Sequence, residues 1–224
     1  MRTSGQRKRV SGLYAIADSQ FNPFSSLTEL VQKYLEGGCR IIQLRMKYGS
    51  EADVRKQASE IIKFKQRYDF TFIVNDYVDV ALEVGADGVH VGANDEPIEN
   101  IGERAGKKLF IGYSSHSLKE ACDAEKKRVN YIAFGAIFPT RTKGEGHPVQ
   151  GLARLRQVTQ AVSVPVVAIG GIGRNNLQGV IDAGADAVAM ITSLSLADDI
   201  ISETRWFIKT YASNASKASN ARNV

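Results

Sequence analysis

Cations, carboxylates, hydroxyls and glycines recur along this 224-residue chain in short clusters, each following an apolar run. Gln43-Leu44-Arg45-Met46-Lys47 offers a planar guanidinium fork and an ammonium point charge, the two side chains that grip anionic oxygen. Ordinary surface charges at an exposed strand end would read the same way. Asn75-Asp76 and Gly92-Ala93-Asn94-Asp95 each supply a carboxylate. Paired beside phosphate-gripping cations, Asp76 and Asp95 make sense as ligands of Mg²⁺, which takes one or two carboxylates plus substrate phosphate and water. Each could instead cap the helix after it. Gly170-Gly171 lets backbone amides come close to a phosphate, while Thr140, Thr142 and Lys143 lie in a polar loop, 138–150, able to fold over a substrate. His90 and His116 also fall at run ends; His90 is taken as a structural hydrogen-bonder.

What positions these groups is a repeating unit. Apolar runs cover 13–17, 39–44, 70–74, 88–91, 109–113, 131–134, 164–169 and 187–191, and most are unbroken, as in parallel strands covered on both faces. Helical patterns lie between them: Leu27, Leu30, Val31, Tyr34 and Leu35 keep the three-and-four spacing of one helix face, and Val54, Ala58, Ile61 and Ile62 repeat it. Glycines close several of these helices just before the next strand, at Gly37-Gly38, Gly85 and Gly184. Eight such units in a chain of this length predict an α/β fold, a single (β/α)8 TIM barrel with parallel strands. An open doubly wound sheet fits less well, because the first strand ends in Ala17-Asp18-Ser19 with no glycine-rich turn. In a barrel all the clusters above fall at C-terminal strand ends, on one rim.

Composition bounds the rest. Hydrophobic residues make up 43% and charged residues 24%, values of an ordinary globular domain. The net charge of +5 suits a phosphorylated small-molecule substrate. Part of the excess is Arg2, Arg7, Lys8 and Arg9, read as a solvated tail and not a nucleic-acid arm. Two cysteines without a CxxC motif exclude a disulfide scaffold and suit a reducing compartment. The first apolar run is too short and broken for a signal peptide or membrane span, so a cytoplasmic protein with no membrane or nucleic-acid partner is expected. The expected boundaries are a basic flexible segment at 1–10, the barrel at 11–210, and a disordered Ala/Ser/Asn/Lys-rich tail at 211–224. Oligomeric state is not legible.

Six separated motifs, in order over residues 13–199, resemble thiamine phosphate synthase: Gln43-Leu44-Arg45-x-Lys47, Val74-Asn75-Asp76, Gly88-Val89-His90-Val91-Gly92-x-x-Asp95, Gly112-x-Ser114-x-His116, Pro139-Thr140-x-Thr142-Lys143 and Ala168-Ile169-Gly170-Gly171-Ile172. The resemblance implies condensation of hydroxymethylpyrimidine diphosphate with thiazole phosphate, giving thiamine phosphate and pyrophosphate. It implies that Gln43, Arg45, Lys47, Asn75, Ser114 and Lys143 hold the pyrimidine diphosphate, with Arg45, Lys47, Lys143 and Ser114 serving the chemistry. It implies Mg²⁺ on Asp76 and Asp95, and thiazole phosphate on Thr140, Thr142, Gly171, Ile191 and Thr192. Met46, Ala93, Ala136 and Thr192 depart from the glutamate, glutamine, proline and serine usual in the family.

Two rivals follow. A thiazole tautomerase on the same fold would use His116 as acid or base, and as that family is read it does not keep both metal carboxylates. A non-catalytic phosphate sensor would be expected to lose the rim's cations or carboxylates, and the sequence keeps them.

Overall fold

All eight apolar runs become strands. The computed structural model describes residues 10–140, 142 and 148–222, the last eight by backbone alone. The strands are β1 (Gly12–Asp18), β2 (Ile41–Arg45), β3 (Thr71–Asn75), β4 (Gly88–Val91), β5 (Phe110–Ser115), β6 (Tyr131–Gly135), β7 (Val166–Ile169) and β8 (Ala187–Met190). They pair in chain order, all parallel, and β8 closes on β1 with Gly12 opposite Ala187.

Both faces of such a strand are buried, which is why the runs read as continuous apolar stretches. The two-residue period still sorts them. Tyr14, Ile16, Ile41, Ile73, Phe110, Tyr131 and Val167 pack in an inner cluster. Their neighbours one step along, such as Ala15, Ile42, Phe72, Ile111 and Val166, pack outward beneath the helices. Val10 is buried within the inner cluster, so it belongs to the barrel and not to the preceding segment. The basic residues 1–9 lie outside the described residues.

The outer layer is α1 (Leu27–Glu36), α2 (Glu51–Ile61), α3 (Val78–Val84), α4 (Ile98–Ala105), α5 (Leu118–Lys126), α6 (Gly151–Ala161), α7 (Leu177–Asp182), the single turn α8 (Thr192–Ser195) and α9 (Ile200–Arg222). Serines start three of them. The Ser26, Ser50 and Ser117 hydroxyls accept from the backbone N–H three residues on, and Asp53 answers Ser50 to complete a capping box. Gly85 ends α3 in the left-handed conformation, φ 71°. The repeated Gly-Ala-Asp phrase does one job twice. The Asp87 and Asp186 carboxylates accept from the backbone N–H groups of Phe72 and Val166, 2.7 and 2.9 Å away, tying each turn to the start of the neighbouring strand.

One expectation fails at the C-terminus. The stretch expected to fray from residue 211 continues α9 to Arg222. Tyr211 is buried, and its hydroxyl donates to the Ala185 carbonyl at 2.6 Å. Ile200 and Phe207 are buried earlier in the same helix, so its first turns are fixed by the core and Tyr211 extends that anchoring into the stretch expected to fray. Among the described residues no helix is long and apolar enough to cross a membrane, and both cysteines are free.

Candidate active site

The inward parity that builds the inner core carries polar side chains at the C-terminal strand ends. They surround one open cavity. One wall comes from β2, β3 and β5, with Gln43, Arg45, Asn75 and Ser114. The other follows β6, β7 and β8, with Thr140, Thr142, Gly171, Ile191 and Thr192. Four of the six residues expected to hold a diphosphate, Gln43, Arg45, Asn75 and Ser114, therefore share one space with those expected to hold a second phosphate. Ile16, Val167 and Ala189 add apolar lining between them.

Arg45 is held from behind. Its Nη1 donates to Asp18 Oδ2 at 2.5 Å, and Asp18 Oδ1 accepts from the Gln20 N–H at 2.9 Å. The two residues are partners in the β1–β2 register. Asp18 is fully buried as a side chain, whereas Arg45 keeps 19% exposure toward the cavity. A buried carboxylate with both oxygens engaged fixes one edge of the guanidinium and leaves its other N–H groups for a ligand.

Residues two apart on a strand share a face, so Lys47 leaves the barrel because β2 stops at Arg45. It does not line the cavity with Arg45; it curls over the rim to Asp76, Nζ to Oδ2 3.3 Å. Asp76 does not cap α3, whose N-terminal residue is Tyr77 with no side-chain cap. It sits at φ 66°, an unfavourable conformation for a non-glycine residue, with its N–H on the His90 carbonyl at 2.9 Å. That backbone turns its carboxylate toward Asp95, which lies within hydrogen-bonding reach. Asp95 is folded back by the turn after β4, where its Oδ2 accepts from the Gly92 N–H at 2.7 Å. Burial raises the pKa of Asp76, the negative charge of Asp95 raises it further, and Lys47 opposes both.

This acidic pair fits a divalent cation. Two carboxylates are held together against their own repulsion, and a cation between them would relieve it. Among the described residues no group of three or more His, Cys, Asp or Glu side chains is placed to hold a metal ion by itself. The remaining ligands would then be substrate oxygens and water, as Mg²⁺ prefers.

On the opposite wall Gly171 has φ 63°, and a Cβ there would lie 2.5 Å from the Pro139 carbonyl oxygen. Only glycine fits this turn. Asn176 staples it, donating to the Gly171 carbonyl at 2.9 Å and accepting from the Gly173 N–H at 2.8 Å. The Thr140 and Thr142 hydroxyls meet at 2.6 Å. The Gly135–Ala136 peptide, at the cavity edge, is cis. Lys143, expected to reach the diphosphate, lies outside the described residues.

Sequence reading missed Asp18, Asn176 and two tyrosines, Tyr14 in the cavity lining and Tyr131 behind it. The available indication was parity: Tyr14 and Ile16 share a face of β1, and Gly112 in β5 leaves space for the Tyr131 ring. His90 bridges the Tyr131 hydroxyl and Ser114 Oγ, at 2.9 and 2.8 Å, in keeping with a structural hydrogen-bonder. His116 is not among the residues lining the cavity; its Nδ1 bonds the Gly135 carbonyl at 2.6 Å.

A closed parallel barrel with cations, an acid pair and a double-glycine turn on its C-terminal rim is an enzyme scaffold for phosphorylated small molecules. Comparison with known proteins narrows the class. The sequence model of thiamine monophosphate synthase matches residues 13–194. Thiamine-phosphate synthase of Shouchella clausii is 43% identical over 84% of this chain and 90% of its own length. The Pyrococcus abyssi protein of the same name is 41% identical over 88% and 92%. The solved thiamine phosphate pyrophosphorylase of Pyrococcus furiosus superposes with a TM-score of 0.84 at 36% identity, covering 94% of this chain and 99% of that one. The chain belongs to the thiamine monophosphate synthase family.

Proposed function

We propose that this enzyme joins hydroxymethylpyrimidine diphosphate to thiazole phosphate, releasing pyrophosphate and forming thiamine phosphate. The observation that supports the reading is one cavity lined by Gln43, Arg45, Asn75 and Ser114 and by Thr140, Thr142, Gly171, Ile191 and Thr192, with Lys47 paired to Asp76 next to Asn75. The relatives described above are synthases, and none of them favours the tautomerase.

Arg45, backed by Asp18, grips the diphosphate as a fork, and Lys47 adds a point charge from the rim. Lys143 joins them by the family resemblance. As the bond from the exocyclic methylene carbon to the diphosphate oxygen breaks, the pair of electrons leaves with pyrophosphate. Cations already in place lower the barrier by stabilising that growing charge. Asp76 and Asp95 would hold Mg²⁺, which when bound neutralises diphosphate charge and orients the leaving group.

The ring is left as a pyrimidine-stabilised cation, held by Gln43, Asn75 and Ser114. Thr140, Thr142, Gly171, Ile191 and Thr192 hold the thiazole phosphate so that the thiazole nitrogen faces the methylene carbon. Its lone pair forms the new carbon–nitrogen bond, and no proton has to be removed. Ile16, Val167 and Ala189 give one side of the cavity an apolar lining, which helps keep water from intercepting the cation. The +5 charge suits these anionic substrates, and a cytoplasmic setting suits their chemistry.

The test is to mix the two phosphorylated substrates with the enzyme and Mg²⁺ and to look for thiamine phosphate by mass. Its appearance is expected only with all components present. Binding of both substrates without product would refute the reading and revive the sensor.

A further inference from the structure

Three buried polar side chains, Tyr14 and His90 in the cavity lining and Tyr131 beneath them, take no part in the chemistry above. They form a continuous chain with two residues that do. Gln43 Nε2 donates to the Tyr14 hydroxyl at 2.7 Å, and the two tyrosine hydroxyls meet at 2.8 Å. The Tyr131 hydroxyl is 2.9 Å from His90 Nδ1, and His90 Nε2 is 2.8 Å from Ser114 Oγ. The chain crosses the barrel interior, and both of its ends line the same cavity.

We infer that these five residues form a one-way hydrogen-bond ladder, which fixes Gln43 as an acceptor and Ser114 as a donor toward the bound ring. The pocket then selects a flat ring that presents a donor to Gln43 and an acceptor to Ser114.

The direction follows from counting protons. Burial raises the pKa of both tyrosines, so each hydroxyl keeps its single proton. Tyr14 accepts from the Gln43 amide nitrogen, which cannot take its proton, and the other atom bonded to its hydroxyl is the Tyr131 oxygen, so the buried proton goes there. The Tyr131 proton then goes to His90 Nδ1, which must be bare. His90 accordingly carries its proton on Nε2 and donates it to Ser114 Oγ. The Ser114 proton is left for a ligand. At the other end Gln43 has spent an amide hydrogen on the ladder, and its Oε1 remains an acceptor.

Packing keeps the rungs in register. Tyr131 is stacked between Phe110 and His90, with ring centroids 5.8 and 5.5 Å away. Gly112 makes room for it, because a Cβ there would lie 2.0 Å from Tyr131 Cζ. An amino group beside a ring nitrogen matches this donor–acceptor demand. The lactam made by replacing that amino group with oxo reverses it, placing an acceptor at Gln43 and an N–H at Ser114. Tyr14, Tyr131 and His90 are thus positioning residues that set ring specificity. The substrate class rests on the proposed function; the ladder's direction does not.

Two measurements test this. In ligand-free enzyme with ¹⁵N-labelled histidine, NMR should find His90 protonated at Nε2 and bare at Nδ1. A proton on Nδ1, alone or with Nε2, overturns the direction. Calorimetry with Mg²⁺ then compares binding of the aminopyrimidine diphosphate and its oxo counterpart. Wild type should prefer the amino ring, and Tyr131→Phe should shrink that preference by ~10-fold or more, since a buried polar pair left unmatched is what rejects the wrong partner. Tyr14→Phe breaks the ladder one rung earlier and serves if Tyr131→Phe does not fold. Equal weakening toward both rings, with the preference intact, overturns the inference. If wild type binds neither diphosphate, the proposed function fails, and the His90 protonation still decides the ladder.

Discussion

Asp76 stands where function and stability oppose one another, and Asp76→Asn separates them. In the cation-free protein its pKa is raised by burial first and by the Asp95 charge second. A carboxyl whose folded pKa lies above its unfolded value binds its proton more tightly when folded. Its contribution to stability is therefore full at low pH and is lost as pH rises through the folded pKa. At neutral pH the ionised group destabilises the fold. Like charges in near contact repel by up to about 4 kcal/mol at an effective dielectric constant near 20, and Lys47, 3.3 Å from Asp76, offsets much of the repulsion from Asp95. A net relief of about 1 kcal/mol remains for an uncharged side chain that can also donate to Asp95. Asparagine tolerates the left-handed backbone at φ 66° as well as aspartate does, so no strain is added. For a domain of this size that relief raises Tm by about 2–4 °C. The assay is thermal unfolding with chelator at neutral pH, then at acid pH, where the difference should vanish. Added Mg²⁺ and pyrophosphate should raise the Tm of wild type and leave the variant unmoved. Turnover should fall at least ~100-fold, about 3 kcal/mol of transition-state stabilisation. A variant less stable than wild type in chelator, or active within a few-fold of it, would refute the pairing of Asp76 with Asp95 as a cation site.

Asp18→Asn should free Arg45 from its backing; because Asp18 never faces the cavity, KM for the pyrimidine diphosphate should rise ~10-fold or more, while KM for thiazole phosphate stays put. Steady-state kinetics with each substrate varied in turn checks this split. Gly171→Ala forces a Cβ to within 2.5 Å of the Pro139 carbonyl at a positive φ, so the opposite pattern is expected, with thiazole phosphate binding weakened most. Tyr211→Ala should cost about 3 kcal/mol, read by denaturant titration, because it removes a buried ring and its bond to Ala185. No change there would return residue 211 to the frayed tail expected from sequence.

The barrel was legible because its strands are covered on both faces, and that burial writes itself as unbroken apolar runs punctuated by Gly85 and Gly184. The rim was legible because strand ends are where a cation, an acid or a double glycine has no packing reason to be. What escaped the sequence shares a different property: its meaning depends on a partner far along the chain. Tyr14 reads as an aromatic in an apolar run until Tyr131, 117 positions away, closes on its hydroxyl. Asp18 reads as a strand terminator until the β1–β2 register sets Arg45 against it. The stretch from residue 211 reads as a polar tail because Tyr211, at its head, is tied down by a carbonyl of another unit. Periodicity reports on burial, a local quantity, whereas hydrogen-bond complementarity is settled by register. The one-rim geometry supplies the missing link: a closed barrel brings every strand end within reach of every other, so a single buried donor such as Gln43 can govern a hydroxyl on a strand it never pairs with.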